Sequence, residues 1–277
     1  MSLFALPLDQ VLWLAGALVV AGGITGVLAG LFGVGGGAII VPILYQVFTT
    51  LDVPESVRMP LSVGTSLAII IPTSIAAYRA HRAKNAVDQP ILRLWAIPCF
   101  MGVVAGSVIA AFAPSWLFKI VFIVIAGGNA ILLLVGRKDW RIMEHEPGTW
   151  PMRSLGFLIG IISSLMGISG GMLSNVLLLM LGRTIQQAVA TSSGLGVFIS
   201  IPGAIGYIFA GWGKMVLLPP FSIGFISLIG FLLLTPLSVL LAPIGARLAH
   251  GLSKRSLELA YGFYLFVVAA RFASTLI

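Results

Sequence analysis

Apolar runs separated by short polar loops account for almost the whole chain. They fall at 10–32, 36–50, 61–79, 92–113, 116–136, 154–169, 170–182, 187–210, 217–242 and 255–276, and each reads as a helix. Most have about 20 residues, enough at ~1.5 Å each to cross a ~30 Å hydrocarbon core. Two are too short. The seventh, Gly170 to Gly182, has 13 residues, and the second is apolar only from Gly36 to Phe48. Both follow directly on a glycine cluster. The pattern predicts an all-α polytopic membrane protein.

The polar loops carry the charge. Arg79, Arg82, Lys84 and Arg93 lie between the third and fourth runs. Arg137, Lys138, Arg141 and Arg153 occupy the central loop, and Arg247, Lys254 and Arg255 the last one. With ten elements these loops and Arg183 share one side, which then holds 12 of the 16 basic residues. Arg58, Lys119, Lys214 and Arg271 are left for the other. The positive-inside rule places the basic side in the cytoplasm and both termini outside, as in a bacterial inner (cell) membrane.

The central loop divides the chain into a first membrane repeat over 1–136, a basic cytoplasmic linker over 137–153 and a second membrane repeat over 154–277. Five elements per half is an odd number, so the halves enter the bilayer from opposite sides. They also share motifs. Leu31-Phe-Gly33-Val-Gly35-Gly36-Gly37 aligns with Leu165-Met-Gly167-Ile-Ser169-Gly170-Gly171, and Gly64-Thr65-Ser66 with Ala190-Thr191-Ser192-Ser193. Two inverted-topology repeats of about five helical elements each, with short broken helices after glycine-rich motifs, is an architecture of secondary transporters.

Composition agrees with the pattern. The 277 residues are 59% hydrophobic and 9% charged, against about 25% charged in a soluble domain. The mean hydropathy is +1.11. The net charge of +8 belongs to loops at a membrane surface and calls for no nucleic acid. The first residues, MSLFALPLDQ, have neither the basic flank nor the cleavage site of a signal peptide. Cys99 is alone and reads as packing.

Read in isolation, Gly33-Val-Gly35-Gly-Gly37-Ala38 approaches a dinucleotide fingerprint. That motif needs a preceding strand and an acid about 20 positions on; here it lies between membrane helices, and no cofactor is called for. Backbone polarity gives a better account. Peptide groups in hydrocarbon must be satisfied internally, so irregular backbone survives at membrane depth only where protein buries it or a cavity borders it. Glycine permits the positive φ that such a break requires. A helix starting at mid-membrane points its free amides, and roughly half a positive charge, into the break, which is a ready anion site.

Inverted symmetry brings two such breaks together. The candidate substrate-binding set is Gly33, Gly35, Gly36, Gly37, Thr65, Ser66, Ser169, Gly170, Gly171, Asn175, Thr191, Ser192 and Ser193. The carboxylates sit in loops or at span ends, with Glu258 near the edge of the last run, so neutral donors and not acids face the middle. The alternative reading of each element is plainer. Membrane hydroxyls commonly bond their own helix, and Gly22, Gly26, Gly30, Gly102 and Gly106 have small-residue packing spacing. Arg58 is either an anion attractor or a solvated loop residue, and Asn129 a helix–helix hydrogen bond or a pathway residue. Trp13, Trp95, Trp116, Trp150 and Trp212 have the spacing of an interfacial belt. His81, His145 and His250 are scattered in basic loops and make no metal pattern.

The stretches GLFGVGGGAIIVPIL (30–44), VGTSLAIIIPTS (63–74), GIISSLMGISGGMLSNVLLL (160–179) and ATSSGLGVFISIPGAIGYI (190–208) resemble the TauE/SafE family, also called the 4-toluene sulfonate uptake permease family. The resemblance spans essentially the whole chain. It implies a carrier of sulfur-containing anions such as sulfite, sulfoacetate or organosulfonates, embedded in the lipid bilayer and open to forming a homo-oligomer. Ser169 stands where the first repeat has Gly35, so the two half-sites are not equivalent.

Three other functions compete. A passive small-anion channel shares the same inventory. A metal-cation carrier lacks intramembrane carboxylates and histidines. An intramembrane serine protease is suggested by Gly167-Ile-Ser169-Gly170 with His81, Asn85 and His250, but such a serine needs a base within hydrogen-bond reach, and repeat symmetry explains the same residues without catalysis.

Overall fold

The computed structural model describes residues 8–33, 35–135, 148–249, 251 and 253–274. Arg137, Lys138, Arg141, His145 and most of the central linker, together with His250, lie outside the described residues. The helices are α1 (Leu8–Phe32), α2 (Gly37–Thr50), α3 (Glu55–Arg82), α4 (Gln89–Phe112), α5 (Ser115–Val135), α6 (Thr149–Met166), α7 (Gly171–Met180), α8 (Ile185–Trp212), α9 (Leu228–Ala249) and α10 (Lys254–Ala273). Six of them are long and apolar enough to span a bilayer, while α2 and α7 are apolar but short. This is an all-α polytopic membrane protein.

Local chemistry sets several helix starts. The Asp88 carboxylate accepts from Ile91 N ahead of Pro90 at the start of α4, and Thr184 and Gln187 form a reciprocal capping box at α8. The ninth element departs from the hydropathy pattern. Residues 217–227, expected as the start of a helix, instead hold the end of a 3-10 turn (Met215–Leu217) and a two-stranded hairpin, β1 (Ser222–Ile223) with β2 (Ile226–Ser227). Pro219 and Pro220 stop helix formation, and Phe221 and Gly224 take left-handed backbone at φ 59° and 53°. The hairpin is held by Tyr207 O, which accepts from Phe225 N, and Thr65 Oγ1, which accepts from Ser227 N.

Packing crosses between the two halves. α1 lies against α9 and α6 against α4, α3 pairs with α8, and α5 with α10. Exchanging α1 to α5 for α6 to α10 in order turns this set of pairs into itself. Glycines permit the closest crossings. A Cβ at Gly22, Gly26 or Gly30 would strike the backbone of Leu234, Ser238 or Ala242 on α9. At Gly102 it would strike Phe157 O on α6, and at Gly106 the Ser164 hydroxyl. These are packing glycines, as their four-residue spacing predicts. Trp116, Trp150 and Trp212 are exposed, as a belt requires, but Trp95 is fully buried. Its ring packs where Gly156 of α6 leaves room, which overrides the interfacial preference.

Candidate functional site

Two backbone breaks face each other at the centre of this packing. The first follows α1, where Gly33, Gly35 and Gly36 have φ of 67°, 64° and 78°. The second follows α6, where Gly167 and Gly170 have φ of 68° and 79°. These left-handed conformations are ones that only glycine adopts without cost. Gly36 caps α2 and Gly170 caps α7, neither with a side-chain hydrogen bond. The breaks touch: a Cβ on Gly37 would run into Gly167 O, and one on Gly35 would lie 2.9 Å from Ser169 Cβ.

Each break exposes carbonyls at the end of the preceding helix, and buried carbonyls need donors. The donors come from the opposite half. Ser66 Oγ on α3 donates to Gly167 O at 2.7 Å, and the Ser192 hydroxyl on α8 divides its one hydrogen between Gly33 O at 3.1 Å and Val189 O of its own helix at 3.0 Å. Ser169 Oγ reaches the same Gly33 O at 3.3 Å, and Asn175 Nδ2 donates to Phe32 O at 2.7 Å. Val63 and Val189 back the breaks in matching fashion, against Gly167 and Gly33 respectively. With the carbonyls covered, what the breaks present is the amide ends of α2 and α7. The first amides bonded to the capping carbonyls are Ile39 N and Leu173 N, so the amides before them point into the breaks.

Of the sequence-predicted residues, Gly33, Gly35, Gly36, Gly37, Ser66, Ser169, Gly170, Gly171 and Ser192 meet here, all buried. Three others have local tasks. Thr65 Oγ1 donates to Leu61 O and holds the hairpin, Thr191 Oγ1 accepts from Asp88 N, and Ser193 Oγ bonds Val189 O of its own helix. Asn175 gives its amide hydrogens to break 1. Its Oδ1 has no hydrogen-bond partner among the described residues, and Asn175 lines a cavity of about 30 Å³ with Tyr261 and Glu258. Tyr261 stacks on Phe32 at 4.4 Å, and Tyr264 Oη donates to Ala38 O, so α10 braces the first break from behind.

Sequence reasoning missed four neighbours. Ser74 on α3 and Ser163 on α6 are fully buried beside the second break, Gly196 of α8 packs on Ser169, and Ile70 covers Gly35 and Gly37. Glu258 is also more enclosed than a span-edge position implies, at 5% exposure with Arg255 3.6 Å away. The signal for Ser74 was its place two turns beyond Ser66; Ser163 precedes Gly167 by one turn.

Several charged residues elsewhere are committed to ion pairs. Glu55 accepts from Tyr45, Arg58 and Lys119, and Arg58 also donates to Val53 O, so Arg58 is a pinned ion-pair member and not a solvated loop residue. Asp88 pairs with Arg183 at 2.8 Å. Asn129 bonds Ile125 O of its own helix. His81 Nε2 lies against Gly30 O and Ser169 Oγ against Gly33 O, so these two side chains bond separate carbonyls.

The family model described as Sulfite exporter TauE/SafE matches residues 18–272. A probable membrane transporter protein of Haemophilus influenzae is 33% identical over 254 residues, covering 91% of this chain and 95% of that one. Another, of Methanocaldococcus jannaschii, is 28% identical, covering 87% and 89%. The probable membrane transporter protein YunE of Bacillus subtilis is 27% identical, covering 70% and 78%. No solved structure matches the chain.

Proposed function

Since the chain belongs to the sulfite exporter TauE/SafE family of membrane transporters, we propose that it is a secondary carrier of sulfur-containing anions such as sulfite, sulfoacetate or organosulfonates. The observation that carries this reading is the pair of facing glycine breaks, each opening a short helix whose amide end is uncapped by any side chain. A sulfur oxyanion presents acceptors and negative charge, and these helix ends present donors and partial positive charge. The remaining donors of the site are neutral hydroxyls.

Transport follows from the symmetry. Two inverted repeats, 1–136 and 154–277, joined by the basic linker 137–153, rock about the breaks and expose them alternately to the two sides. The exchange of packing partners between halves supports this arrangement. Because the serines that hold each break come from the other half, relative movement of the halves must break or remake those hydrogen bonds. The breaks are thereby tied to the conformational cycle. Basic loops on the cytoplasmic face of a bacterial inner membrane, with both termini outside, complete the orientation.

Proteoliposomes containing the purified protein test the reading. Labelled sulfite should accumulate transiently against its gradient when unlabelled sulfite is trapped inside, and carboxylate analogues should not compete. Anion flux without such counterflow, or a unitary conductance, refutes the carrier.

A further inference from the structure

Resting on the carrier reading and its orientation, we propose that the ion pair of Asp88 with Arg183 is the latch that shuts the cytoplasmic side of the transporter, and that the conformation described is the one closed there. Asp88 lies in the first half, in the connection from α3 to α4, and Arg183 in the second, in the connection from α7 to α8. Arg183 Nε donates to Asp88 Oδ2 at 2.8 Å, with the carboxylate side chain 11% exposed and the guanidinium 30%. The pairs of Glu55 with Arg58 and Lys119, and of Glu258 with Arg255, each stay within one half. This one crosses between them. Water reaches it in part, so it holds weakly enough to open in every cycle.

Other contacts close the same seam. Thr191 Oγ1 on α8 accepts from Asp88 N at 2.9 Å. One turn further along α4, Leu92 Cδ2 lies 2.9 Å from where a Cβ of Gly194 would be, and Tyr78 Cε2 of α3 borders the same spot at 3.0 Å. Glycine at 194 thus lets α8 close down on both helices of the first half. Arg255 reaches from α10 to the carbonyls of Leu133 and Leu134 at the end of α5, again from one half to the other.

The opposite side has the same parts without the charges. Thr65 Oγ1 accepts from Ser227 N just as Thr191 Oγ1 accepts from Asp88 N. Ser227 and Asp88 also match as caps, since Ser227 Oγ accepts from Gly230 N and Asp88 Oδ1 from Ile91 N, each three residues on. The place of Arg183 is taken by Val53. Each follows a left-handed residue, Gly182 at φ 78° or Asp52 at φ 54°, and precedes a helix cap, Thr184 or Pro54. Each amide bonds the carbonyl five residues back, Leu178 O for Arg183 and Phe48 O for Val53. A valine and a serine make no ion pair. On that side a cavity of about 170 Å³ separates residues 51–53 of the first half from 217–220 of the second. One seam is thus tied by opposite charges, and its counterpart stands apart.

The test puts a reporter cysteine on either seam of the purified full chain. Leu92→Cys replaces a buried side chain on the latched side, and Leu51→Cys lines the opposite cavity. Cys99, the chain's own cysteine, is buried. Labelling by a water-soluble maleimide is compared within each reporter background, with the pair intact and with Asp88→Asn, Arg183→Gln or both. Asparagine removes the charge and keeps the α4 cap. Each single variant should label Leu92→Cys about three- to tenfold faster, the scale of a charged hydrogen bond that water partly screens. The double variant should match the singles, because the same interaction is lost in all three. Leu51→Cys should label no faster than before in any of them. Unchanged labelling of Leu92→Cys, additive effects in the double variant, or faster labelling on both seams overturns the latch, the last because it marks general loosening. Absence of sulfite counterflow by the unmodified protein overturns the carrier reading and the latch with it; with counterflow intact, the labelling decides the latch by itself.

Discussion

Replacing Gly36 by leucine tests the backbone argument and the site together. Gly36 has φ 78° and ψ −7°, a left-handed conformation that costs an L-residue about 1–2 kcal/mol. Space decides the rest. A Cβ there would sit 3.1 Å from Thr25 O and 3.4 Å from both Ile40 Cδ1 and Thr25 Cβ, which is tight without being a collision. Gly36→Ala should therefore cost only the backbone term, lowering Tm by about 2–8 °C at ~2–4 °C per kcal/mol for a large domain. Leucine pushes three more carbons into the α1–α2 contact, adding about 1–3 kcal/mol of overpacking, and covers the amide end of α2. Melting of the detergent-purified variants gives the stability term. Counterflow normalised to folded protein gives the functional one. Gly37→Ala is the comparison: its backbone is helical and unstrained, but its Cβ runs into Gly167 O and must push the breaks apart. A Gly36→Leu protein that melts with the unmodified chain and transports normally would refute the reasoning from strain to site.

Ser66→Ala should destabilise more than Ser192→Ala, because Gly167 O has Ser66 as its side-chain donor while Gly33 O also receives Ser169; the first loss is about 1–3 kcal/mol for a stranded buried carbonyl, and paired thermal melts read the order. Transport retained by Ser169→Ala would remove the serine-protease reading, and the loss of a proteolytic activity in that variant would revive it. Thr184→Ala removes the α8 capping box and should cost about 0.5–2 kcal/mol with the half-saturating anion concentration unchanged; a rise in that concentration would place the start of α8 in the binding step.

The two breaks were legible because glycine clusters followed by short apolar runs have few other uses in a bilayer, and the structure puts left-handed glycines at both. The serines were legible as a motif but not in their pairing: nothing in Gly64-Thr65-Ser66 says that Ser66 crosses to Gly167 while Thr65 turns to the hairpin. Hydropathy failed at 217–227 because an apolar hairpin and an apolar helix score alike. Only Pro219, Pro220 and Gly224 marked the difference. Ser74 and Ser163 were invisible for a different reason. A serine in a membrane helix is ordinarily bonded to its own backbone, and only coordinates reveal which oxygen is left open.

The crossed packing of α1 on α9 and α6 on α4 also constrains how the protein is made. During synthesis α1 is inserted long before α9 emerges, so the glycine face at Gly22, Gly26 and Gly30 waits in lipid without its partner. The contacts of that face with Leu234, Ser238 and Ala242 each close a loop of about 200 residues, and such distant pairings are assembled late. A chain stopped anywhere before Leu228 therefore leaves the glycine face of its first helix without α9, however well α2 to α5 have formed. The interlocking makes the ribosome's last third the step that turns ten inserted helices into one transporter.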